Sequence, residues 1–202
     1  MSVNHLVRSN AVLVAGFLLL STRTFAADRQ IRPFIGATFG GGTTFVDPEN
    51  AVGKPNLAIG ASAVFLGEVF GTEVDIADAP GFFESGDKHS VLLSRVTTIS
   101  GNVVVAAPHR LTEYSLRPYI VGGAGLMRVR TSTALGVFDV SALIPQFDIG
   151  IGALGFVTNH IGVCWDVRRF QSVGGNADNG GLSFGDEHLS FWRATMSVAI
   201  RY

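Results

Sequence analysis

The chain has 202 residues, enough for one domain. Only 15% of them are charged, below the roughly 25–35% usual for a soluble surface, and its two lysines, Lys54 and Lys88, fall in stretches that read as connections. A formal net charge of −1 excludes the basic stripe of a nucleic-acid binder. The single cysteine, Cys164, permits no intramolecular disulfide and calls for none.

Residues 1–26 read as a secretory signal peptide. A weakly basic start with His5 and Arg8 leads into the apolar run Ala11–Leu20, and Thr24-Phe25-Ala26 offers a small-x-small cleavage site. Ten apolar residues are too few to span a bilayer as a helix. No later stretch supplies the ~18 apolar residues that a transmembrane helix needs. Residues 27–202 are expected to form one domain.

That domain divides into eight candidate strands by period-2 alternation. Ile31–Gly40 sets Ile31, Ile35, Ala37 and Phe39 apart from Arg32, Gly36 and Thr38. Leu57–Leu66 separates Leu57, Ile59 and Phe65 from Ala58, Gly60 and Ser62. After a tight turn at Gly67-Glu68, Val69–Asp78 places Phe70, Thr72, Val74 and Ile76 against Gly71, Glu73 and Asp75. Ser90–Ala106 alternates Ile99, Val103 and Val105 with Thr98, Ser100 and Asn102. In Leu116–Arg130 the residues Tyr119, Val121, Met127 and Val129 share a face, expected to be the apolar one because Arg128 and Arg130 fall on the other. Gln146–Val157 and Ile161–Phe170 follow, joined by Thr158-Asn159-His160, with Ile149, Ile151, Trp165 and Val167 opposite Asp148, Gly150, Asp166 and Arg168. Ser190–Tyr202 closes the series with Trp192, Met196, Val198, Ile200 and Tyr202 on one face and Arg193, Thr195 and Ser197 on the other.

Long connections (41–56, 79–89, 131–145, 171–189) alternate with short ones (67–68, 107–115, 158–160). Outer-membrane barrels show that asymmetry, with short periplasmic turns and longer external loops, and an even strand count returns both ends to the same side. A soluble lipocalin-like barrel that binds an apolar ligand would turn its apolar face inward and its charges outward. Here the non-apolar faces carry mostly Gly, Ala, Ser and Thr, which suits a narrow packed interior. The apolar faces carry Trp165, Trp192 and Tyr202 among branched aliphatics, as a lipid-facing band with aromatic girdles does. The expected fold is all-β: an eight-stranded antiparallel up-and-down transmembrane barrel.

The stretches G-T-E-V-D-I (71–76), S-G-N-V-V-V (100–105), R-P-Y-I-V-G-G-A-G-L (117–126) and G-F-V-T-N-H-I-G-V-C-W-D-V-R (155–168), with the ending F-W-R-A-T-M-S-V-A-I-R-Y, carry a resemblance across the mature chain. The sequence resembles the small outer-membrane β-barrel proteins of Gram-negative bacteria, relatives of the OmpA transmembrane domain described as porin-family or outer-membrane β-barrel domains. The resemblance implies export to the cell outer membrane, contact with its lipid, and insertion by the barrel-assembly machinery. In that family the last strand is the assembly signal, which maps to Val198, Ile200 and Tyr202; the family's final residue is usually Phe, where this chain has Tyr202. The family's role is structural or surface-interactive, with a minor channel for small solutes or ions as the alternative.

No motif adds chemistry. Gly150–Gly155 fits G-x-G-x-x-G literally, but it lies inside a strand with no helix after it, so a dinucleotide site is not expected. The five histidines have no metal-ligand spacing, no G-x-S-x-G surrounds a serine, and no cofactor or enzyme activity is expected. The candidate site is the lumenal charge set Glu73, Asp75, Asp148, Asp166, Arg168 and Arg193, each near mid-strand on a small, polar face. Arg168 and Arg193 are expected to bridge Glu73, Asp75 and Asp166, because a lone charge in a narrow dry interior is costly and arginine's fork holds two carboxylates at once.

Overall fold

The structure is a computed structural model that describes residues 28–43, 55–82, 91–108, 116–133, 140–173 and 189–202. The expected leader, residues 1–26, lies outside the described residues. Eight strands follow in chain order: β1 (Asp28–Thr43), β2 (Asn56–Leu66), β3 (Phe70–Pro80), β4 (Val91–Ala106), β5 (Leu116–Thr133), β6 (Val140–Phe156), β7 (Ile161–Ser172) and β8 (Leu189–Arg201). Each pairs antiparallel with its neighbours in sequence, and β8 returns to β1, so the sheet is a closed barrel without a free edge. The closing ladder runs from Gln30↔Arg201 and Ile31↔Ile200 to Thr43↔Leu189, broken by one bulge between Phe39 and Gly42. Gly40 absorbs that bulge at φ 57°, a left-handed conformation that glycine adopts at no steric cost.

The alternation read from the sequence places the branched apolar residues outside. Ile35, Ile76, Ile149, Ile151, Met196 and Val198 are all exposed on the outer wall, and Trp165 and Trp192 lie among them. Arg168, Arg193, Glu73 and Asp75 are buried within. These faces are the inverse of a soluble barrel's: the surface is hydrocarbon and the interior holds the charge. With its ladders closed into a ring, the barrel meets the condition for standing in lipid.

Two expectations need correction. The sixth strand begins at Val140 rather than Gln146, and β5 continues to Thr133, so the connection between them is 134–139. The ladder Thr131↔Val140 through Leu126↔Pro145 takes up much of the connection expected over 131–145. In β5, Tyr119, Val121, Met127 and Val129 do share a face, but it is the lumenal one, and Arg128 and Arg130 stand outside. Taking arginine as an inward marker failed there because these two lie past the outer apolar residues Ile120 and Leu126 of their own strand.

Candidate functional site

The lumen is stacked in three layers. Towards the short-turn end, Val64, Leu66, Val104, Val121, Leu154 and Ala199 form one apolar cluster with Tyr119 and Cys164. Towards the long-loop end, Phe82, Val96, Met127, Ile144, Phe170 and Phe191 anchor another. The Phe191 ring stacks on Phe170 at 5.1 Å and meets Phe82 edge-on at 5.0 Å. Between them lies a belt of polar and charged side chains.

Alternation brings the belt together: Glu73 and Asp75 point inward from β3, Asp148 from β6, Asp166 and Arg168 from β7, and Arg193 from β8, and all six are buried. The guanidinium of Arg168 sits at the centre. Its Nη1 donates to Glu73 Oε1, and its Nη2 reaches Glu73 Oε2 at 3.2 Å and Asp166 Oδ2 at 3.0 Å. Its Nε donates to Asp166 Oδ1 at 3.2 Å, so every Arg168 nitrogen has a carboxylate. The two acids are braced in turn. Asn102 Nδ2 donates to Glu73 at 3.1 Å, while Thr195 Oγ1 and the Tyr119 hydroxyl donate to Asp166 at 2.9 and 3.2 Å.

Arg193 makes a separate pair. Its Nη2 donates to both oxygens of Asp75, at 2.9 and 3.0 Å, and its guanidinium lies between the Phe34 and Phe170 rings at 4.8 and 4.7 Å. Asp148 joins neither pair: both of its carboxylate oxygens are buried without a hydrogen-bond partner.

Sequence reasoning missed several members. Arg32 is buried near the short-turn end, where Nε and Nη2 donate to Gln30 Oε1 at 2.9 and 2.7 Å and its guanidinium lies over the Tyr119 ring at 5.7 Å. Its place between Ile31 and Ile35 in the alternation was the signal for it. Tyr119 and Cys164 touch at 3.0 Å between hydroxyl and sulfur, beside Asp166. Arg117 donates to the backbone carbonyls of Ala107 and Glu68 at 3.1 and 2.8 Å, tying two short connections together. Among the described residues no three His, Cys, Asp or Glu side chains converge on a metal-sized site. What the arrangement offers chemically is closure.

These features define a class: a closed, inverted barrel that crosses a membrane with its strands. The fold is that of small eight-stranded outer-membrane barrels. Neisserial surface protein A superposes with a TM-score of 0.64 at 11% identity, over 86% of this chain and 97% of that one. Outer membrane protein OprG from Pseudomonas aeruginosa superposes with a TM-score of 0.50, also at 11% identity, over 88% of this chain and 96% of that one. No family model matches the sequence. No curated protein matches it either.

Proposed function

We propose that this chain is an integral outer-membrane barrel with a structural or surface-interaction role, carried by its long connections, and with a lumen plugged by its own side chains. The observation that carries this reading is the layering: a belt in which Arg168 and Arg193 hold Glu73, Asp166 and Asp75 is shut between two apolar layers. An eight-stranded barrel is just wide enough for side chains to fill it. The short turns then face the periplasm with both chain ends, and residues 1–26 are the export leader. Val198 and Ile200, outward on β8, and Tyr202, exposed just past it, present the assembly signal. Removing Ile200–Tyr202 should cut the amount of folded barrel in the membrane fraction, and normal levels would refute that role.

Planar-bilayer recording of the purified, refolded protein tests the plug, with heat-dependent mobility in SDS confirming a folded barrel. A folded barrel that stays electrically silent is the expected result. Steady conductance would replace the plug with a channel for small ions.

A further inference from the structure

We infer that the outer wall of β4 and β5, at its long-loop end, binds the phosphate of an anionic membrane lipid headgroup through Arg128, Arg130 and Arg95; this rests on the membrane-barrel reading above. The outer faces of three adjacent strands change character along one line. Ile76, Ile99 and Leu126 are register neighbours, and beyond them come Asp78, Thr97 and Arg128, then Pro80, Arg95 and Arg130. From Leu116 to Leu126, a strand rising ~3.3 Å per residue and tilted ~40° climbs ~25 Å, the height of a barrel's apolar band. The arginines therefore begin where hydrocarbon gives way to headgroups.

The charge there does not balance. Arg95 pairs with Asp78 at 3.2 Å, and Thr97 Oγ1 donates to the same carboxylate at 2.8 Å, so Asp78 is occupied. Arg128 and Arg130 are exposed, and neither has an acidic partner among the described residues. Arg95 and Arg130 are moreover direct cross-strand partners, a placement in which like charges repel. An anion with several oxygens between them removes the repulsion. Phosphate meets guanidinium forks two oxygens at a time, and Ile99 and Leu126 just below give an acyl chain its bed. A lipid phosphate fits this boundary better than a free one because the apolar wall continues directly beneath the cations.

The test uses full-length protein in phosphatidylcholine vesicles, with spin-labelled phosphatidic acid or spin-labelled phosphatidylcholine as the probe. Electron-spin resonance then reads the fraction of each label held at the protein surface. Wild type should favour phosphatidic acid, by about fivefold for each contributing arginine. Arg128→Gln with Arg130→Gln should remove the share of those two and leave at most that of Arg95, whereas Arg29→Gln, at the exposed short-turn end, should keep the full preference. Arg128→Lys with Arg130→Lys, which keeps the charge and loses the fork, should retain part of it. Equal association of both labels with wild type, or a preference left undiminished in the double glutamine variant, overturns the inference. Protein that fails to enter vesicles at all would instead refute the membrane reading. Heat-dependent mobility in SDS checks that each variant is folded.

Discussion

The two sides of the lumenal belt are built from similar residues and end in opposite states. On the β3–β7–β8 side, Arg168 and Arg193 hold Glu73, Asp166 and Asp75, and every oxygen of those three carboxylates accepts a hydrogen bond. On the β4–β5–β6 side, Thr98 Oγ1, Ser100 Oγ, Asn102 Oδ1, both polar atoms of the Gln146 amide and both oxygens of Asp148 are buried without partners. Register explains the difference. Asn102 lies opposite Gly123, which lies opposite Asp148, and Ser100 lies opposite Gly125, which lies opposite Gln146. A glycine in the middle strand of each row leaves the flanking polar groups nothing to bond to between them. The lesson is that charge count does not stabilise such an interior; what matters is whether a long donor stands in the next strand or across the lumen. Unmatched groups buried in protein ordinarily recruit ordered water, and this is the side of the belt that offers water its partners.

The sharpest way to break the comparison is Arg168→Ala. It strips the guanidinium that Glu73 shares with Asp166 and leaves two buried carboxylates without it. Removing one member of a buried ion pair costs about 3–5 kcal/mol when the site is dry. The barrel's melting temperature in detergent should fall sharply; an unchanged value would show the paired side to be as wet as the other.

Gly125→Val tests the glycine row next. A Cβ at 125 would run into the Ile99 carbonyl oxygen and the Ser100 Cα of β4, atoms held by the ladder. Overpacking of this kind costs about 1–3 kcal/mol, and the two branches added by valine place it at the upper end. If Gly125→Val melted like wild type, close strand approach would not be the reason for glycine there. A smaller loss, about 1–2 kcal/mol, is expected for Thr195→Val, which deletes one charge-assisted hydrogen bond to Asp166 and keeps the shape. Chemical denaturation in detergent reads it, and a loss as large as that of Arg168→Ala would mean that the network acts as one unit.

The fold was legible because period-2 alternation is the strongest local signal a strand can give, and β2, β3, β7 and β8 carry it almost unbroken. Its failures share one cause. Alternation reports which residues share a face, and composition then has to say which face is inside. In β5 composition misleads: the lumenal face holds Val121, Met127 and Val129 because both ends of the lumen are apolar, while the outer face ends in arginines. The apolar end layers went unread for the same reason, since a valine facing lipid and a valine facing a plug are identical in sequence. The inward charges could be found one strand at a time, but their division into an Arg168 cluster, an Arg193 pair and a solitary Asp148 depends on register between strands distant in sequence.

That solitary residue gives the smallest and most discriminating expectation. Asp148→Asn removes a negative charge and changes almost nothing in volume. Were Asp148 a working member of the belt, losing its charge would cost as much as losing any paired carboxylate. Its oxygens accept no bond, however, and its row neighbours Gly123 and Phe170 offer it no side-chain donor. Burying a charge without a partner costs free energy, and the neutral amide lowers that cost while keeping one acceptor for any water present. Asp148→Asn should therefore melt within about 0.5 kcal/mol of wild type or slightly above it, where Arg168→Ala falls by several. The same variant should leave the bilayer silent, because the apolar layers above and below the belt do not depend on it. A clear loss of stability in Asp148→Asn would mean that Arg193, whose Nε and Nη1 are also unpartnered, reaches Asp148, directly or through water, and that the belt is a single network after all.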